Sequence, residues 1–182
     1  AVHGGSHIDF GMDQMDVWPF IHALGHPFGQ MIALAGMVSN GVFDRYPNVR
    51  IGFMEAGVAW LLACLERFDS SWASFSQHDA SGRFLRLRPG EKVSQYISRQ
   101  IDDGRIFIGC EGDELGLAHM AKVVGGQPFI YSSDFPHEVT NETCKEEIQE
   151  LLEEEGLSPA DKEGILFRNA ERFYKLLPVA VA

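Results

Sequence analysis

A chain of 182 residues, 45% hydrophobic and 23% charged, has ordinary globular composition and is long enough to bury one core, so one domain is expected. Its 15 basic against 26 acidic side chains, a net charge of −11, exclude the clustered Lys and Arg that a nucleic-acid or anionic-membrane partner needs. Cys64, Cys110 and Cys144 are odd in number and form no CxxC pair, which excludes a disulfide framework and a thiolate zinc site and fits a reducing, cytoplasmic location.

The chain starts in an apolar run, Ala1-Val2, that stops on His3. It has no initiator Met, no signal-peptide pattern and no apolar stretch near the roughly 20 residues of a membrane span, so it reads as beginning inside a larger protein. A Gly, Asp, Met and His-rich loop is expected over 4–27, and structureless loops of that length usually serve binding sites. Phe28, Met31, Ile32, Ala35 and Val38 then recur at helical spacing, and Asn40-Gly41 ends that helix. A strand over 49–54 stops on Glu55, and a helix over 58–75 places Leu61, Cys64, Leu65, Phe68 and Trp72 on one face. A polar excursion over 76–89 leads to a short helix over 90–99 and a strand over 105–110 that stops on Glu111. A helix over 113–124, the Gly125-Gly126 turn and a strand over 129–133 follow, the last stopping on Asp134 before Pro136-His137. Two helices close the chain: 142–155, a source of much surface charge, and a run from Ser158-Pro159, as N-cap and first turn, to Leu177.

Four strand-then-helix units in strict alternation imply a parallel α/β sheet whose carboxyl edge gathers His3, Glu55, Glu111 and Asp134. Four is half of eight, and about 250 residues make a complete (β/α)₈ barrel, so 182 residues suit one half of a TIM barrel. The rival, a small doubly wound sheet, needs a phosphate-binding glycine loop, and Gly4-Gly5-Ser6-His7 lacks the GxGxxG spacing.

Several segments in order carry a resemblance: His26-Pro27-Phe28, then Gly41-Val42-Phe43-Asp44-Arg45-Tyr46-Pro47, then Phe53-Met54-Glu55-Ala56-Gly57-Val58-Ala59-Trp60. Ser132-Ser133-Asp134-Phe135-Pro136-His137 and Asn169-Ala170-Glu171-Arg172-Phe173-Tyr174 complete it. The chain resembles the C-terminal half, strands five to eight, of the amidohydrolase-related metal-dependent hydrolases, the group that includes aminocarboxymuconate-semialdehyde decarboxylase. The resemblance implies one barrel domain over 1–182 with C-terminal helices over about 142–177. It implies one divalent metal held by a His-x-His pair after the first strand, a histidine after the fifth and an aspartate after the eighth. His3 and Asp134 fall on the last two. The His-x-His pair belongs to the half not in this sequence, and Glu55 stands where the decarboxylase members carry a sixth-strand histidine.

On this reading Asp134 is both metal ligand and proton acceptor, against the plain alternative of a helix N-cap. Imidazole plus carboxylate suits zinc first, then manganese or iron, with the metal weak or absent in this half alone. Glu55 is a second catalytic acid, moving a proton or orienting water, or else an acid favoured by a helix dipole. Glu111 carries the same two readings, with Asp113 beside it as a capping residue. The spacings His3/His7 and His22/His26 suggest metal pairs on helices, but the surrounding glycines and Pro27 speak against helix there. Those histidines are expected to line a substrate pocket, His26 first, with His137 as a further substrate contact and Trp18, Phe20 and Met12 as a cover or as packing. The expected function is therefore a metal-dependent hydrolase of a small organic molecule. Its alternatives are a non-oxidative decarboxylase on the same residues and a non-catalytic half-barrel or incomplete fragment. Exposed sheet edges imply a partner: the N-terminal half of the barrel, or a second copy in a homo-oligomer.

Overall fold

The computed structural model describes residues 1–78, 85–137 and 139–176. Four strands, β1 (Val2–His3), β2 (Ile51–Met54), β3 (Ile106–Cys110) and β4 (Phe129–Tyr131), form a sheet in that order, every neighbouring pair parallel. The register sets His3 opposite Met54, Phe53 opposite Ile108, and Cys110 opposite Tyr131. Because all four run the same way, the residues that follow them gather on one rim. Sequential order without a switch point excludes the doubly wound alternative.

The helices are α1 (Trp18–Ser39), α2 (Val42–Arg45), α3 (Ala59–Phe75), α4 (Val93–Asp102), α5 (Leu117–Val124), α6 (Asn141–Glu153), α7 (Pro159–Glu163) and α8 (Asn169–Tyr174), with a π turn, Gly164–Arg168, joining the last two. Ser158 caps α7 as expected, its Oγ accepting the Asp161 N–H at 3.1 Å. The expected end at Leu177 lies outside the described residues.

The largest departure from expectation is α1, which begins at Trp18 and so takes up the second half of the expected loop. Pro19 sits in its first turn, where a fixed φ and a missing N–H cost nothing. Pro27 lies inside it and forfeits a hydrogen bond, a local penalty of about 3 kcal/mol that packing against the 4–6 segment offsets. The buried face also differs. Gly25, Gln30, Leu34 and Val38 are buried, while Ile32 is 54% exposed, because α1 leans on the end of β1 through its glycines. Helix α5 starts at Leu117 instead of 113, since Glu114 holds the preceding turn by accepting the N–H groups of Glu111 at 2.9 Å and Val58 at 2.7 Å.

The core lies between the sheet and its helices. Leu34, Phe43, Leu61, Tyr96 and Ile97 pack on Phe53, Ile106, Ile108 and Phe129 of the strands. Side chains alternate across a strand, so Phe107 points to the opposite face, where it is fully buried against Phe173 of α8, ring centroids 5.1 Å apart. Among the described residues, no helix is long and apolar enough to cross a membrane.

Candidate functional site

The rim beyond the strands carries an open cleft of about 360 Å³ lined by His22, His26, Glu55, Glu111, Asp134 and Glu147, with Ala23, Pro27, Ala56 and Val139 as its apolar part. Two of its acids are held in unusual backbone: Glu55 has φ 57° and Asp134 φ 56°. Left-handed backbone is unfavourable for a side chain with a Cβ, and residues held so cluster at functional sites.

His3, His26 and Glu55 form the densest group. His3 Nε2 is 2.6 Å from Glu55 Oε2, His26 Nδ1 is 3.8 Å from the same oxygen, and the three donor atoms all lie within 4.8 Å of one another. His3 Nδ1 donates to the Gly4 carbonyl, which fixes its tautomer and turns Nε2 toward Glu55. His26 Nδ1 is buried without a hydrogen-bond partner. Burial first, then the His22 and His3 imidazoles, hold the His26 pKa below its ordinary value, against the opposing pull of Glu55 and Asp134. Two imidazoles and a carboxylate are side-chain types that suit a divalent metal.

Folding brings this group together by close backbone contact. A Cβ on Gly4 would collide with the His26 backbone, and one on Gly25 would lie 3.0 Å from Gly5 and Ser6, so small residues let α1 press onto the strand end. Gln30 completes the junction: its buried amide donates to the Val2 carbonyl at 3.1 Å and the Met54 carbonyl at 2.6 Å, the residues just before His3 and Glu55.

The other expected site residues separate. Asp134 lines the cleft but stands outside the three-residue group, its carboxylate bonded to His137 Nδ1 at 3.0 Å. His137 has a 65% exposed side chain beside Asp134, which places it behind the acid and not among the cleft-lining residues. Glu111 does line the cleft, and its helix-cap alternative falls away because α5 begins six residues later. Its pKa is raised, by burial first and then by Asp113, Glu147, Asp134 and Glu55. His22 and His26 sit one turn apart on α1, ring centroids 4.8 Å apart, so the helix that glycines and Pro27 seemed to forbid is present. Trp18 and Phe20 are exposed on its first turn, whereas Met12 is buried.

Three cleft or near-cleft residues were not expected. Glu147, read as part of a charged surface helix, turns inward and accepts from the Tyr131 hydroxyl at 3.2 Å; burial raises its pKa. Glu114 is a buried carboxylate whose pKa burial also raises, despite its two backbone N–H partners. Gln30 is the third. A lone polar residue in the apolar 27–38 stretch was the signal available for Gln30, and none marked Glu147.

The fold recurs in solved structures. An amidohydrolase, map2389c, from Mycobacterium avium subsp. paratuberculosis K-10 matches with a TM-score of 0.66 and 20% identity over 96% of this chain. The 5-carboxyvanillate decarboxylase LigW from Sphingomonas paucimobilis matches with a TM-score of 0.72 and 18% identity over 97% of it. The chain spans only 39% and 49% of the lengths of those two proteins. No curated protein sequence matches. The family described as amidohydrolase matches residues 11–176, nearly the whole sequence, and on that match the chain belongs to the amidohydrolase family.

Proposed function

We propose that this chain is the second half, strands five to eight, of a (β/α)₈ metal-dependent hydrolase that acts on a small organic substrate. The observation that carries the reading is the convergence of His3, His26, Glu55 and Asp134 on one rim of a parallel sheet, with both strand-end acids in left-handed backbone. Sequential strand order and coverage of less than half of two longer solved chains support the half-barrel.

His3 and Asp134 are the ligands this half contributes by resemblance, zinc being the first candidate metal. When bound, such a metal supplies Lewis-acid polarisation and raises the acidity of water toward neutral pH. Asp134 accepts the proton, and His137 at 3.0 Å takes up or relays it from the solvent side. Glu55 holds the His3 imidazole at 2.6 Å and places a negative charge at the centre of the site. His22, His26 and Glu111 position the substrate along the cleft wall.

Decarboxylation on the same residues is the second reading, favoured by likeness to a protein named as a decarboxylase. The cleft itself favours hydrolysis: its described lining holds four carboxylates and no Lys or Arg to receive a substrate carboxylate. In the complete barrel, Asp134→Asn is expected to cost about 10²- to 10⁴-fold in turnover with the circular dichroism spectrum unchanged. Elemental analysis of the complete protein showing no bound metal would overturn the proposal, and release of CO₂ from a carboxylated substrate would decide for the decarboxylase.

A further inference from the structure

We infer that the cleft takes a substrate bearing a protonated amine, and that Glu147, with Glu111 beside it, is the residue that selects for that charge. This rests on the hydrolase reading above and names the class of substrate.

The walls supply the first argument. Glu55, Glu111, Asp134 and Glu147 line the cleft, and no Lys or Arg stands among its described lining residues. Glu111 and Glu147 form no ion pair with Lys or Arg among the described residues, whose Arg pairs involve Glu91, Glu163 and Glu171. His26 adds no positive charge at neutral pH, because burial and the neighbouring imidazoles lower its pKa. A cationic group placed among these acids relieves their mutual repulsion, whereas a substrate carboxylate adds to it.

The spread of the acids says which cation. A metal ion needs its donor atoms gathered around one point. Among the described residues, neither Glu111 nor Glu147 belongs to a set of three ligating side chains close enough to share one ion. Wider spacing suits an ammonium, whose three N–H donors diverge and meet separate acceptors at about 2.7–2.9 Å. Ala23, Pro27, Ala56 and Val139 give the carbon skeleton an apolar wall, in a volume of about 360 Å³ that holds a small organic molecule.

Glu147 is built into this wall. Glu142, Glu146, Glu150 and Glu153 of α6 are exposed, while Glu147 is half-buried. The Tyr131 hydroxyl lies 3.2 Å from Glu147 Oε2 and 3.2 Å from the Cys144 carbonyl, which ties the acid and its helix to the end of β4. A Cβ on Gly112 would lie 2.0 Å from the Glu147 carbonyl oxygen, so the turn that carries Glu111 presses directly on α6 at Glu147. The two acids are thereby fixed on neighbouring elements by backbone contact. One hydroxyl uses only part of what a carboxylate can accept, which leaves Glu147 able to receive a substrate N–H.

The test is isothermal titration calorimetry of the 182-residue chain, which carries the whole described lining, with benzylamine and with benzoate at neutral pH. The two probes share a ring and differ in the sign of their charge. Benzylamine is expected to bind at least about 10-fold more tightly than benzoate, and Glu147→Gln and Glu111→Gln each to weaken it by at least about 10-fold. Glu146→Gln removes the same charge from an exposed position of α6 and is expected to bind benzylamine as the parent does. Circular dichroism identifies a variant that fails to fold, and the other Glu→Gln variant then carries the test. Absence of benzylamine binding, benzoate binding as tightly as benzylamine, or unchanged benzylamine affinity in the folded Glu147→Gln and Glu111→Gln chains overturns the inference. An equal loss in Glu146→Gln also overturns it, since net charge and not the cleft would then attract the probe. Each of these results leaves the hydrolase proposal standing, because that proposal depends on the metal content of the complete protein and on Asp134→Asn.

Discussion

Glu111 sits among the acids of the cleft, and its pH behaviour follows from its neighbours. Burial and the charges of Asp113, Glu147, Asp134 and Glu55 raise its folded pKa above the ordinary carboxylate value of 4.5. The folded chain therefore holds a proton that the unfolded chain releases, and stability falls as pH rises from 4.5 through the raised folded pKa. Glu114 and Glu147 are raised in the same direction and steepen that fall. Glu111→Gln keeps the shape without the charge, so its unfolding midpoint in urea is expected to exceed the parent's above that window and to depend less on pH. A parent chain that grows steadily more stable across that window would contradict the assignment. Glu55 and Asp134 were legible as acids ending apolar runs, whereas Glu147 was not, because nothing among the five acids of α6 marks the one that turns inward.

Helix α1 shows how an element can override its own sequence. Pro27 and three glycines lower its intrinsic helicity, yet it runs for 22 residues because Gly25 and Gly29 lie against the 4–6 segment and Gln30 bonds two strands. Gly4→Ala places a methyl group against the His26 backbone, and relief of that overlap is expected to cost about 1–3 kcal/mol in urea unfolding. Gln30→Ala leaves the Val2 and Met54 carbonyls without their side-chain donor and is expected to cost about 1–3 kcal/mol. Unchanged stability in both variants would mean that α1 is held elsewhere.

At the scale of the molecule, β1 and β4 are edge strands among the described residues. Next to β1, Phe20, Leu24, Phe28 and Ile32 form an exposed apolar stripe along α1, at 65%, 38%, 37% and 54%. Open edges beside apolar surface template pairing with another chain. The opposite sheet face is less bare than a cut barrel implies: Phe173 covers Phe107 and closes over Gly52, where an added Cβ would meet it at 3.0 Å. The 182-residue chain is accordingly expected to self-associate, or to pair with its complementary half, in light scattering coupled to size exclusion. A monomer with one cooperative transition would show that α8 and α1 suffice to seal the sheet, and the half-barrel proposal would then lose its physical basis.

The sequence by itself determined the alternation of strand and helix, the parallel sheet, the family, and the acids and histidine at strand ends. These are local signals: apolar runs of fixed length, turn residues, and carboxylates placed where a strand must stop. Only the tertiary structure decided that α1 begins at Trp18, that His26 lies against Glu55 while Asp134 stands apart with His137, and that Gln30, Glu114 and Glu147 turn inward. Those outcomes depend on glycine contacts between segments some twenty residues apart and on which acid of a helix meets a distant tyrosine. No periodicity within a single segment encodes such distances.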